Sequence, residues 1–236
     1  MLATVVGLLA ALWTFLWLTG EVREGDTSSL DSKILLALRT PTNLAIPIGP
    51  RWMQESARDL TALGGFTVLT LVVVMAVVIL ALLGRRAQAL VLAVTVLFAQ
   101  AASALLKVII HRPRPELVPH IDLVYSSSFP SGHAMMTPVV YLTLAAIVAA
   151  GHWRRAIKAV LLIAAIVLVF AVGASRVYLG VHWPSDVLAG WTLGSAIALA
   201  AWLALYLTTP APALQQPSDE VGPVVAPADA APISNR

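Results

Sequence analysis

Six apolar stretches, residues 2–18, 66–83, 87–110, 134–150, 156–174 and 186–207, decide which solvent this chain folds in. Each is close to the 17–25 residues an α-helix needs to cross a bilayer. A helix satisfies its backbone N–H and C=O groups within itself, which hydrocarbon demands. Of 236 residues, 59% are hydrophobic and 11% charged, with a mean hydropathy of +0.86. Soluble domains carry about 25% charged residues. The sequence therefore predicts an all-α, polytopic membrane protein, a six-helix bundle over residues 1–207. Residues 2–18 lack a positive start and a small-residue cleavage site, so they read as an uncleaved anchor rather than a signal peptide.

Charge is sparse, and its placement orients the bundle. A net charge of +3 is too small an excess to recruit nucleic acid. The chain has no Cys, which excludes disulfides, thiolate nucleophiles and thiolate-held metal clusters. Arg85 and Arg86 separate spans two and three; Arg154, Arg155 and Lys158 separate spans four and five. Basic residues in short loops stay cytoplasmic, and these loops share one side under alternate crossing. Both termini are then cytoplasmic, and the long connection after span one is outside. In it, Leu30, Ile34, Leu35 and Leu38 share a helical face behind a capping Ser or Asp. A second segment starts at Pro50, sets Trp52, Met53, Ala57 and Leu60 at helical spacing, and stops at Gly64 and Gly65. Both read as short interfacial helices that cap the bundle. Residues 208–236, rich in Pro and Ala without a period, read as a disordered cytoplasmic tail.

Ionisable residues near hydrocarbon are costly and point to function by default. Three groups stand out. KVIIHRPRP, Lys107 to Pro115, ends span three; Ser131, Gly132 and His133 open span four; Arg176 ends span five, with His182 and Asp186 opening span six. No crossing separates the first group from the second, and two separate the second from the third. All three therefore meet at the outer face.

Lys107, Arg114 and Arg176 concentrate positive charge, and arginine forks bind phosphate oxygens in pairs. Ser-Gly-His at a helix start offers backbone N–H groups and a hydroxyl to the same kind of anion. His182 and Asp186 are four residues apart, so a helix beginning at Pro184 lets the carboxylate reach back to the imidazole. An Asp on one ring nitrogen fixes the tautomer and leaves the other nitrogen as a nucleophile. His133 is a second titratable group, suited to protonating a leaving oxygen. Two His beside Arg and Lys, with one carboxylate near, make a poor donor set for a metal, and no cofactor is expected. Each residue alone has a plainer reading: an interfacial lysine, a helix cap, a headgroup anchor. Their convergence on one face favours a phosphate site.

These residues resemble a family. Lys107-x6-Arg114-Pro115, Pro130-Ser131-Gly132-His133 and Ser175-Arg176-x5-His182-x3-Asp186 match, in order and spacing, the three motifs of the type 2 phosphatidic acid phosphatase superfamily, integral-membrane lipid phosphate phosphatases. The resemblance implies that His182 is the nucleophile forming a phosphohistidine, that Asp186 orients it, and that His133 is the general acid and then the base. Lys107, Arg114, Ser131, Gly132 and Arg176 would hold phosphoryl oxygens. It implies a metal-independent hydrolase of lipid phosphates, of the phosphatidate or polyprenyl pyrophosphate class, on the extracytoplasmic face of a bacterial plasma membrane. His111 and Arg112 stay unassigned, with headgroup contact as their reading. The alternatives are a lipid phosphotransferase using the same phosphohistidine, or a phospholipid-binding or transport protein, for which an oriented imidazole has no use. Gly190 and Gly194 suit close helix packing within the bundle, with a homodimer seam as the other reading.

Overall fold

A computed structural model describes residues 1–120, 126–151 and 154–208; the tail expected at 208–236 lies, apart from its first residue, outside them. Helix α1 (Leu2–Glu24) extends the first apolar stretch to Gly25 (φ 89°), whose N–H returns to the Glu21 carbonyl. A residue without Cβ takes that left-handed conformation at no steric cost.

The long connection folds as α2 (Ser28–Ala37), an antiparallel hairpin of β1 (Arg39–Thr40) and β2 (Asn43–Pro47), and α3 (Arg51–Ala62). The helices stand where the amphipathic patterns put them. The hairpin departs from the all-α expectation, and its cause is local. Pro41 lacks the N–H a helix needs. Thr40 Oγ1 donates to the Asn43 carbonyl at 2.7 Å, and Asn43 Oδ1 accepts the Ala45 N–H at 2.9 Å. Side chains thus close a turn in place of helix.

Helix α4 (Phe66–Leu82) is 17 residues long and joins α3 at a 43° bend. The Tyr141 hydroxyl donates to the Leu63 carbonyl at that bend, at 2.7 Å. Next come α5 (Arg86–Ile110), a broken span of α6 (Gly132–Thr137), a π turn (Pro138–Leu142) and α7 (Thr143–Ala149), then α8 (Arg155–Tyr178) and α9 (Pro184–Thr208). Pro138 has no N–H for the Ala134 carbonyl, and the helix widens there instead of stopping. Among the described residues five helices are long and apolar enough to cross a membrane, and the bent α3–α4 pair makes a sixth when taken as one. The apolar stretch at residues 66–83 is thus the 17-residue α4, at the short end of the range that crosses a bilayer, with α3 continuing it across the bend.

Helix α9 is central. Its Leu193, Ile197 and Leu205 join Phe15 and Leu18 of α1, Leu92 and Ala99 of α5, and Met135 of α6 in one buried cluster. A Cβ on Gly190 or Gly194 would strike the Ser131 or Met135 carbonyl, so the small-residue stripe brings α6 against α9 inside the bundle. Trp13, Leu71, Val74, Leu97, Phe98 and Phe170 point outward, an apolar exterior that suits lipid rather than water. The chain is an integral membrane protein.

Candidate active site

Pro184 opens α9, where its missing N–H would have no intrahelical partner anyway. Asp186 is then the third helical residue, and its Oδ2 accepts the Trp183 N–H at 2.9 Å, in the manner of a capping box. The same oxygen accepts the Ser128 hydroxyl and lies 3.5 Å from His182 Nδ1. Oδ1 takes Arg112 Nη1 at 2.5 Å.

His182 is buried in the turn between α8 and α9. Its Nε2 is 3.1 Å from Arg114 Nη1. A guanidinium only donates, so Nε2 carries the lone pair and the ring proton sits on Nδ1, toward Asp186. Burial is the main cause pushing His182 down to about 4; Asp186 pulls the other way, while Arg114 and Arg176 add to the depression. At neutral pH the ring is uncharged, with its nucleophilic nitrogen facing an arginine.

Arg114 is fixed by donation from Nη1 to the Val181 carbonyl at 2.7 Å and from Nε to the Ser126 carbonyl at 2.8 Å. Lys107, in the last turn of α5, donates to the Ser126 hydroxyl at 2.9 Å. Left-handed His111 (φ 46°) ends that helix, and the prolines after Arg112 and Arg114 bias both arginines to extended backbone. Arg176, in the last turn of α8, is buried and donates to Thr61 Oγ1 at 2.8 Å.

Ser131 Oγ caps α6 by accepting the Ala134 N–H at 3.5 Å, and the Ser131 N–H donates to the Asp186 carbonyl at 3.1 Å. Gly132 leaves room beside Lys107, where a Cβ would stand 4.0 Å from Nζ. Lys107, Ser126, Gly132 and half-buried His133 form the polar end of a groove of about 650 Å³ between α4 and α5. Its walls are mainly apolar, Leu69, Val73 and Val77 from α4 and Ala93, Val96 and Leu97 from α5, with Thr70, Gln100 and Ser103 as the polar exceptions.

Three motifs far apart in the chain thus meet at one end of the bundle. His182 contacts Asp186 and Arg114; Lys107 shares Ser126 with Arg114; Ser131 is tied to Asp186; Arg176 acts on His182 through its charge. Gly132 and His133 join from the groove side. The reading of Arg112 as a headgroup contact is corrected. Its side chain is 12% exposed and binds Asp186, Asp31 and Ser185. Ser126, Ser128, Asp31 and Ser185 also belong to the site, outside the named positions of the three motifs. A run of serines between two motifs hints at Ser126 and Ser128, but nothing local marks Asp31.

A family model described as the PAP2 superfamily matches residues 88–209. Phosphatidylglycerophosphatase B of Bacillus subtilis (strain 168) is 32% identical over 184 residues, 76% of this chain and 85% of that protein. The decaprenylphosphoryl-5-phosphoribose phosphatase of Mycobacterium tuberculosis (strain ATCC 25618 / H37Rv) is 34% identical over 128 residues, 50% of this chain and 66% of that one. Among solved structures, the transmembrane PAP2-type phosphatidylglycerolphosphate phosphatase from Bacillus subtilis superposes with a TM-score of 0.75 at 27% identity, covering 86% of this chain and 97% of its own.

Proposed function

The chain belongs to the PAP2 superfamily, and we propose that it hydrolyses phosphorylated membrane lipids, without a metal, through a phosphohistidine on His182 at the extracytoplasmic face. The chain is a phosphatase of lipid phosphates; its relatives are named for phosphatidylglycerophosphate and polyprenyl-linked phosphate substrates. In the first step the Nε2 lone pair of His182 attacks phosphorus and the bond to the lipid oxygen breaks. His133 gives that oxygen a proton. In the second step His133 takes a proton from water, whose oxygen attacks phosphorus, and the bond to Nε2 breaks to release phosphate. Asp186 steadies the Nδ1 proton while the ring is positively charged. Lys107, Arg114 and Arg176, with the Ser131 hydroxyl and the Gly132 backbone, hold the charge that spreads over the phosphoryl oxygens. Phosphoryl transfer asks for little beyond this positioning and charge stabilisation.

The observation that carries the lipid reading is the groove. Along α5 it runs from Lys107 back to Ala93, about 21 Å at 1.5 Å per residue. That exceeds half of the roughly 30 Å hydrocarbon thickness. A water-soluble phosphate has no use for such a wall, whereas a lipid keeps its tail there while its headgroup meets the cations. Ala93→Trp, far from the polar end, is expected to raise KM for a lipid phosphate while sparing turnover of a small aryl phosphate. Phosphate release by purified protein across phosphatidate, phosphatidylglycerophosphate, diacylglycerol pyrophosphate and undecaprenyl pyrophosphate, beside p-nitrophenyl phosphate, checks it. Equal loss on lipid and aryl substrates would remove the groove from the account.

A further inference from the structure

We propose that Asp31 and Arg112 are positioning residues for the His182–Asp186 pair, so that the external helix α2 completes the catalytic centre. This deepens the phosphohistidine reading and rests on it. Arg112 lies between two carboxylates: Nη1 to Asp186 Oδ1 at 2.5 Å and Nη2 to Asp31 Oδ2 at 2.8 Å. The carboxylate side chains are 0% and 3% exposed. Arg112 also donates to Ser185 Oγ at 2.7 Å and Thr27 Oγ1 at 3.2 Å, and its guanidinium stands 5.7 Å from the centre of the Trp183 ring. Asp31, in the first turn of α2, accepts the Ser185 N–H at 2.9 Å and the Ser185 hydroxyl at 2.5 Å. It therefore satisfies an orphan N–H at the start of α9, next to Asp186.

The arrangement does more than pin a loop. Asp186 Oδ2 faces His182, Ser128 and the Trp183 N–H, so Oδ1 is the handle by which the carboxylate plane can be set, and Arg112 holds that handle. A buried carboxylate needs full compensation, but a lone arginine would draw its charge away from the imidazole. Asp31 shares Arg112, leaving the trio with net negative charge for the imidazolium that forms when Nε2 is phosphorylated. The side-chain bonds of Arg112 and Asp31 run to Asp186, Ser185 and Thr27, whereas Lys107 and Arg114 meet at Ser126. Loss of the handle is therefore expected to lower kcat and leave phosphate binding in place.

The experiment compares wild type with Arg112→Ala, Arg112→Lys, Asp31→Asn and His182→Ala, in detergent, on one lipid phosphate and with vanadate as inhibitor. Displacement of a catalytic group by about an ångström costs on the order of 100-fold. Arg112→Ala is expected to lose about 10–100-fold in kcat, with KM and vanadate inhibition within about twofold of wild type. Added guanidinium ion restores part of the rate, Arg112→Lys retains an intermediate rate, and Asp31→Asn lowers kcat in the same direction. A merely structural contact would give neither guanidinium rescue nor a pure kcat effect. If Arg112→Ala does not fold, as judged by its thermal melt and elution profile in detergent, Arg112→Lys and Asp31→Asn decide. The proposal is overturned if the folded variants keep wild-type kcat, or if KM rises and vanadate affinity falls in step with the loss of rate. Activity in His182→Ala would instead overturn the phosphohistidine reading itself.

Discussion

His182 has its two ring nitrogens differentiated before any phosphate arrives: Nδ1 toward Asp186, Nε2 toward Arg114. Burial holds it down to about 4 against 6.5 for a free imidazole. The neutral nucleophile therefore persists well below neutrality, and the limb of kcat/KM that belongs to His182 should fall only below about pH 5, once substrate ionisation is allowed for. The same shift bears on stability. The unfolded chain binds the proton more tightly, so stability is full above about pH 6.5 and is lost as pH falls toward 4. Thermal melts between pH 7 and pH 4.5 should show a smaller acid loss in His182→Asn than in wild type; an equal loss would place the acid sensitivity elsewhere. His133 fails differently. A general acid is worth about 10²–10⁴-fold and matters less for a good leaving group, so His133→Ala should recover relative activity on p-nitrophenyl phosphate. Uniform loss on lipid and aryl substrates would refute that role. The i, i+4 spacing of His182 and Asp186 is local, and so it was legible in the chain. The tie from Arg112 to Asp31 spans 81 residues, and no periodicity or spacing encodes such a meeting.

Among elements, α6 and α9 depend most on each other. Gly190 lets the Ser131 carbonyl approach to where a Cβ would be 2.8 Å away, and Ser131 begins the helix that carries Gly132 and His133. Gly190→Ala must shift backbone rather than a flexible side chain. Overpacking of this kind costs about 1–3 kcal/mol. The variant should melt lower in detergent and lose activity beyond its loss of folded protein, as checked by thermal unfolding beside specific activity. Unchanged activity would mean that the α6 start tolerates displacement. The apolar segments announced the long helices, since span length follows from bilayer thickness. The hairpin, the π turn and the α3–α4 bend were not legible, because each is set by one residue, Pro41 or Pro138, or by a distant contact such as Tyr141 to Leu63.

For the whole molecule, counting crossings by hydropathy anticipated that the three motifs share one end, where the geometry now puts them in contact. The membrane face that end occupies is our proposal, and it rests on the basic loops alone. The absence of native Cys makes the test clean: Thr42→Cys in the hairpin turn and Ala87→Cys at the start of α5 are both exposed. They should react with an impermeant thiol reagent from opposite sides, Thr42→Cys from outside; labelling of both from one side would reverse the topology. The central claim unites membrane, lipid and imidazole, and one measurement addresses it directly. Protein in lipid vesicles is quenched during turnover of its lipid phosphate, under conditions that preserve acid-labile phosphohistidine, and the phosphoryl group is located by mass spectrometry. The account predicts a phosphoryl group on His182, more of it in His133→Ala with an aryl phosphate, and none in His182→Ala, which is also inactive. Turnover that persists in His182→Ala, or a phosphoryl group on another residue in the active enzyme, would contradict it.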